Sequence, residues 1–364
     1  MNAQWFDADD ETDNVYHLIN PDQLGVLTST LPVVELGELV WINYERLNTL
    51  QIHLLDFSMR SNAPDTTAPD PTWHQQYHFF DGTERTANWL LLLDALNFCF
   101  WAEKDQPRWS IEYEGEVLNG YWALAASLTR AVQEGYPLWD AHYLSEMSSV
   151  DLAHIFRSVP PPEGTGALNL TSAPIPLFQQ RLANAREAGS VLLERFDGQF
   201  THAIEEAGGS AVRLALLLVE HFPSFHDVAD FRKQEVRFFK RAQICVSDLH
   251  GAFGGKQWGA FTDLHQLTIF ADYKLPQILR HFGVLEYHPA LAERIDNFEL
   301  LESGSDEEVE IRAAAVWACE LLRQTMSAAG HGSLTAAEID QRLWLLSHDI
   351  ADMRPYHRTR TIYY

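Results

Sequence analysis

The chain has 364 residues, of which 46% are hydrophobic and 12% aromatic, enough to fill a substantial core in one large domain or two ordinary ones. Its 26 Lys and Arg against 51 Asp and Glu give a formal charge of −25, which argues against tRNA or DNA as a partner, because binding a nucleic-acid backbone takes clustered cations. The longest apolar run, WLLLLDALNFCFW, is broken by Asp94 and Asn97 and falls short of the roughly 20 residues that a membrane span takes.

The opening MNAQWFDADDETDN is acidic and polar, unlike a signal peptide. Residues 33–42 read as helix or strand, and 61–71 (SNAPDTTAPDP) as a loop. Residues 88–103 are apolar nearly all round, which predicts a helix buried at the centre of a domain. Residues 109–117 alternate as a short hairpin strand would. Over 118–134, Tyr121, Leu124, Ala125, Leu128 and Val132 repeat with helical spacing, and Gly135-Tyr136-Pro137 stops the pattern. A second loop follows at 159–166 (VPPPEGTG), then helices over 176–196, 211–222 and 234–253. Leu275, Ile278, Leu279 and Phe282 stand at i, i+3, i+4 and i+7, and Pro276 suits a first helical turn. Two late helices open with capping boxes, Ser305 with Glu308 and Thr335 with Glu338. No internal repeat is found. The expected fold is mainly α with a few short strands, as a single domain over 1–364 or two tightly packed helical lobes with a cleft between them.

Cys99, Cys245 and Cys319 lie far apart inside apolar helical patterns, the usage of reduced, buried thiols in a cytoplasmic protein. The sequon Asn169-Leu170-Thr171 is then accidental. With no long exposed apolar stripe, a monomer is expected. Phosphate loops, dinucleotide fingerprints, H-E-x-x-H, paired zinc cysteines and G-x-S-x-G are all missing. His348-Asp349 resembles half of a helical metal-phosphohydrolase site, which would need further ligands such as His154, His202 and His265; solvated or core histidines are the simpler reading.

Three stretches have the residue types for chemistry. In VRFFKRAQICVSDLH, Arg241 and Asp248 fall on one helical face two turns apart, with Lys240, Gln243 and Ser247 on an adjacent stripe. Lys240 and Arg241 make either a solvated charge stripe or a local basic spot for one phosphate. On the expected central helix, Asp94, Asn97 and Trp101 stand at i, i+3 and i+7. A buried Asp costs several kcal/mol unless it is paired, so Asp94 either meets a structural partner or faces a cavity holding a polar ligand. Asp272 precedes or caps the helix that includes Pro276, where the dipole favours negative charge; as a bare pattern this reads first as a cap.

The strings LNFCFW (96–101), GYWALAASLTRAVQEGYP (120–137), FFKRAQICVSDL (238–249), FADYKLPQIL (270–279) and PYHRTRTIYY (355–364) resemble the queuosine salvage proteins, which act as queuosine 5′-phosphate N-glycosylase/hydrolases. The resemblance runs from about residue 50 to the end; the first fifty residues and the 61–71 loop match less well. It implies hydrolysis of queuosine 5′-phosphate to queuine and ribose 5-phosphate for salvage into tRNA modification, in a single domain similar to helix-hairpin-helix DNA glycosylases. In those enzymes a catalytic Asp comes directly before a helix that ends in a Leu- and Gly-containing turn. Asp272, with the helix running to Gly283-Val284-Leu285, is similar in layout, and Asp248 with the turn Gly254-Gly255 would be the neighbouring helix.

Breaking an N-glycosidic bond builds an oxocarbenium-like charge that a carboxylate stabilises, so Asp272 and Asp248 are the expected catalytic pair. The base-binding set is then Asp94, Asn97, Phe98, Trp101 and Tyr273, and the cations Lys240, Arg241 and Lys274 are left for the 5′-phosphate. Neither a metal nor a cofactor is expected. The partners are the nucleotide and free queuine, without nucleic-acid polymer or membrane. A helical metal-dependent phosphohydrolase and a non-catalytic nucleoside-binding module are the alternatives.

Overall fold

Fourteen α-helices and eight short strands follow one another among the described residues of the computed structural model, namely Tyr16, 22–60, 76–158, 174–330 and 334–364. In chain order they are α1 (Val26–Leu36), β1 (Val40–Ile42), α2 (Tyr44–Arg60), α3 (Glu84–Ala95), β2 (Ser110–Tyr113), β3 (Glu116–Asn119), α4 (Gly120–Gln133), α5 (Ala141–Ser145), α6 (Ser149–Ile155), α7 (Phe178–Arg195), α8 (Phe200–Ala207) and α9 (Ala211–His221). Then come β4 (Val228–Phe231), β5 (Gln234–Arg237), α10 (Lys240–Ala252), α11 (Lys274–His281), β6 (Leu285–Tyr287), α12 (Pro289–Asp296), β7 (Leu300–Leu301), α13 (Asp306–Ala328), α14 (Ala336–Asp349) and β8 (Arg358–Thr359). The expected loops 61–71 and 159–166, the sequon and the acidic opening lie outside the described residues.

The strands pair two by two instead of forming one sheet: β1 with β6, β2 with β3 and β4 with β5 antiparallel, β7 with β8 parallel. Both hairpins turn in two residues that carry positive φ, Glu114 and Gly115 at 50° and 85°, Arg232 and Lys233 at 52° and 69°. Such turns match the right-handed twist of the flanking strands. The expected hairpin strand over 109–117 is thus β2, its turn and the start of β3.

Burial explains the helical layers. From Thr86 to Ala95 every residue of α3 is buried, and this helix packs against α7, α8 and α10. The 23-residue α13 packs on α1, α2, α11 and α14, with Asp306, Glu307 and Glu308 in a first turn where the helix dipole favours them. Thr335 and Glu338 form a complete capping box, while Glu308 turns its carboxylate to Gly304 N (3.0 Å) and only the Ser305 half of the other box is made. Gly189 lets α7 lie on α5: a Cβ there would stand 2.3 Å from Ser145 N and 2.5 Å from Ala141 O. Overpacking of this kind costs about 1–3 kcal/mol. Gly189→Ala is therefore expected to lower the thermal midpoint by several degrees in a melt followed by circular dichroism.

Three expected boundaries are corrected. The central helix ends at Ala95 and not at Glu103, because side chains from other helices take the carbonyls of its last turn. Arg241 Nη1 donates to Asp94 O (3.0 Å) and Ala95 O (2.6 Å), and Asn184 Nδ2 to Ala95 O (2.9 Å). Arg181 donates to the carbonyls of Leu96, Phe98 and Cys99, and Cys99 sits at φ 48°. Asn97 and Trp101 consequently lie on an irregular segment and do not continue a helical stripe from Asp94. The stretch 234–253 begins as strand β5 and turns into α10 at Phe239 (φ 50°), where Asp227 O accepts Phe238 N (3.0 Å) and Phe239 N (3.2 Å). Residues 33–42 are both helix and strand, joined at Gly37.

Candidate active site

A cavity of about 320 Å³ opens between α4, α10, α14, the β2–β3 hairpin, the irregular segment after α3, residues 270–274 and the C-terminal tail. Small-molecule sites usually measure roughly 300–1,000 Å³. Of the residues expected to form a site, Asn97, Phe98, Lys240, Asp248, Asp272, Tyr273 and Lys274 line it together.

Asp272 sits half-buried at the entrance to α11, and its Oδ1 accepts the amides of Lys274 (2.7 Å) and Leu275 (3.0 Å). The capping role is therefore present, and the same carboxylate faces the cavity. Its backbone is gripped on both sides. Arg312 Nε donates to Ala271 O (3.0 Å), and Phe270 N donates to Asp340 Oδ2 (2.7 Å). Arg312 is itself buried and pairs with Asp227 (2.6 Å) and Glu308 (3.4 Å). Asp227 Oδ2 also accepts Lys240 N (3.1 Å), so one ion network fixes the start of α10 and the residue before Asp272.

Lys240 is buried, with its ammonium in the field of Asp272, Asp94 and Asp340; burial lowers its pKa and these carboxylates oppose the shift. Lys274 is half-buried; burial lowers its pKa, Asp272 raises it and Arg108 lowers it further. Asp248, on the cavity-facing side of α10, accepts from Tyr121 Oη (3.4 Å), whose oxygen also meets His78 Nε2 (2.8 Å). Two aromatic groups wall the space. Tyr273 and Tyr356 have ring centroids 4.8 Å apart beside Phe98, while Trp122 stands 5.2 Å from Tyr121 and 5.7 Å from Trp344.

Asp94, Trp101 and Arg241 do not line the cavity. Arg241 is no open anion site: its guanidinium is spent on the carbonyls of Asp94, Ala95 and Ser224, with Phe98 5.2 Å and Phe225 4.8 Å from it. Asp94 lies behind the wall. Burial raises its pKa to about 7 against the pull of Lys240, Asn97 and Arg241, and neither carboxylate oxygen has a hydrogen-bond partner of good geometry among the described residues. Trp101 packs near Arg358 and Arg360 at 5.8 and 5.4 Å.

Several lining residues carried weaker signals. Asp340 is a charge on the buried face of α14, beside Ile339 and Leu343, the same signal that marked Asp94. Tyr121 and Trp122, Tyr356 and Tyr364 belong to the strings quoted above, and Arg108 and Trp344 had no signal beyond residue type. The histidines of the phosphohydrolase alternative are scattered: His348 lines the cavity, His154 lies 2.9 Å from Glu134, and His202 meets Phe196 O at 2.9 Å. No three His, Cys, Asp or Glu side chains come together in ligating geometry among the described residues. No helix among them is long and apolar enough to cross a membrane.

Residues 77–364 match the family model described as queuosine salvage protein. A Sphaerobacter thermophilus protein named queuosine 5′-phosphate N-glycosylase/hydrolase is 49% identical over 94% of this chain and 98% of its own length. Proteins of the same name from Mus musculus and Dictyostelium discoideum are each 38% identical, over 77% and 78% of this chain and 82% and 79% of their own. The matched region contains the whole cavity lining, and on these similarities the chain belongs to the queuosine salvage protein family.

Proposed function

We propose that this protein hydrolyses the N-glycosidic bond of queuosine 5′-phosphate to queuine and ribose 5-phosphate. The observation that carries the reading is the convergence of Asp272, Asp248 and two aromatic walls on one cavity, in a chain so similar to proteins of that name. Asp272 faces the anomeric carbon and stabilises the positive charge that develops as the bond breaks. Lys240, held beside it, keeps the carboxylate oriented. Asp248, fixed through Tyr121, reads the guanine-like edge of the base, and Phe98 and Tyr273 cover its flat faces. A carboxylate set directly before a helix is also the arrangement of helix-hairpin-helix DNA glycosylases, to which we liken this fold.

Because Lys240 is buried among three carboxylates, our reading gives the phosphate to other cations. Lys274 and the exposed Arg108, which approaches Tyr356 Oη at 3.5 Å, are the cations better placed at the cavity's edge. Charge-assisted contacts of this kind are worth about 1.5–3 kcal/mol. Lys274→Met should thus raise KM for queuosine 5′-phosphate about tenfold or more while changing that for queuosine little, as steady-state kinetics on both will show.

The decisive test of the function is incubation with queuosine 5′-phosphate and chromatography for free queuine. Binding without release would favour the nucleoside-binding module.

A further inference from the structure

Asp340 is a titratable residue in the cavity to which the function above gives no task. It is 6% exposed, lies on α14 and lines the cavity, and its Oδ2 accepts Phe270 N at 2.7 Å. The groups around it are Asp272 at the head of α11, Lys240 on α10, the Cys319 thiol on α13 and the Phe270 amide. Burial and the charge of Asp272 push its pKa well above the usual carboxylate value, against the Phe270 N–H and Lys240. With Oδ2 accepting an N–H, the proton belongs on Oδ1.

A purely structural acceptor for Phe270 N would be served as well by an amide, without a second carboxyl in the field of Asp272. Two carboxyl groups whose surroundings push their proton affinities apart are the arrangement by which enzymes divide acid and base roles. The leaving group makes the need concrete. Queuine carries carbon in place of the imidazole-type ring nitrogen that guanine offers for protonation, so the electron pair of the broken bond collects on the glycosidic side of the ring system.

We propose that Asp340 is the general acid of this reaction, protonating the departing base while Asp272 faces the sugar cation. The inference rests on the glycosidase reading. The C1′–N bond breaks, its electron pair goes to nitrogen, and the Asp340 proton follows, releasing queuine with its ring system neutral and leaving Asp340 as carboxylate. Water then adds to C1′ and gives up one proton, which returns to Asp340 through the adjoining carboxylate. No other reactant is consumed.

Asp340→Asn separates this role from a structural one, because the amide oxygen still accepts Phe270 N–H but no proton can be given. General-acid catalysis contributes roughly 10²–10⁴-fold. With queuosine 5′-phosphate, kcat should fall by at least about 10²-fold with KM within a few-fold. The alkaline decline of kcat in the wild type, where Asp340 loses its proton, should vanish from what activity remains. Activity near that of the wild type would overturn the proposal, as would lost activity with the alkaline decline still in place. If Asp340→Asn does not fold, Asp340→Glu decides: a displaced alkaline limb supports the role and an unmoved one refutes it. A wild-type protein that releases no queuine would instead refute the glycosidase reading itself.

Discussion

Asp272→Asn is expected to lower kcat for queuosine 5′-phosphate by about 10³-fold, the scale set by removing one well-placed charge-stabilising group. The fold should hardly notice. Asn caps helices about as well as Asp, and its side-chain oxygen can accept the Lys274 and Leu275 amides now at 2.7 and 3.0 Å. What disappears is the negative charge opposite the sugar as it becomes cationic, so the loss falls on kcat while queuine affinity stays. Asp248→Asn should show the reverse balance, weakening queuine binding more than turnover, since Asp248 is assigned to the base. Measured kcat, KM, queuine affinity and melting midpoint for both variants separate the assignments. Full turnover in the Asp272 variant would end the central claim.

Arg312→Met should destabilise the fold by about 3–5 kcal/mol, read from urea denaturation. The guanidinium is buried against Asp227 and Glu308, and its removal leaves two buried carboxylates without the cation that hydrogen-bonds both. It also lies 3.9 Å from the Phe238 ring and 4.4 Å from that of Tyr364, so the methylene stem of Met replaces only part of the packing. Activity is expected to fall in whatever fraction remains folded, because Ala271 O and the Asp227 carboxylate lose their common anchor. A change below about 1 kcal/mol would show that the pair is solvent-relaxed and not a buried network. Replacing all three charges together with apolar residues should be far milder than breaking the set, as is usual for buried ion clusters.

Helical periodicity located α4, α7, α9 and α11 to within a few residues, and Thr335 with Glu338 marked the start of α14, because these signals are local. The end of α3 was not legible. Residues 96–101 have the apolar character of a continuing helix, and what stops it is contributed by Arg181, Asn184 and Arg241, far along the chain. The same contact hides Arg241. On a helical wheel it shares a face with Asp248, yet the carbonyls of Asp94 and Ala95 on α3 and of Ser224 take its two Nη groups. Asp272 was legible as a helix-entry carboxylate, whereas its company required the fold: Asp340 approaches from α14 and Lys240 from α10. Lys240 looked like half of a basic patch because neighbours in sequence share charge. In three dimensions Asp272, Asp94 and Asp340 surround it too.

The clasp on residues 96–99 has a thermodynamic consequence for recognition. Fixing the backbone of one residue costs about 1–2 kcal/mol of conformational entropy, and an irregular stretch without its own ladder would normally leave part of that to be met when ligand arrives. Here Arg181 holds the carbonyls of Leu96, Phe98 and Cys99, and Cys99 N is tied to Tyr364 O at 2.8 Å. Asn97 and Phe98 are therefore ordered during folding and present a fixed surface to the cavity. A ligand that touches that wall meets no ordering cost there, which leaves more of its binding free energy for telling a transition state from a ground state.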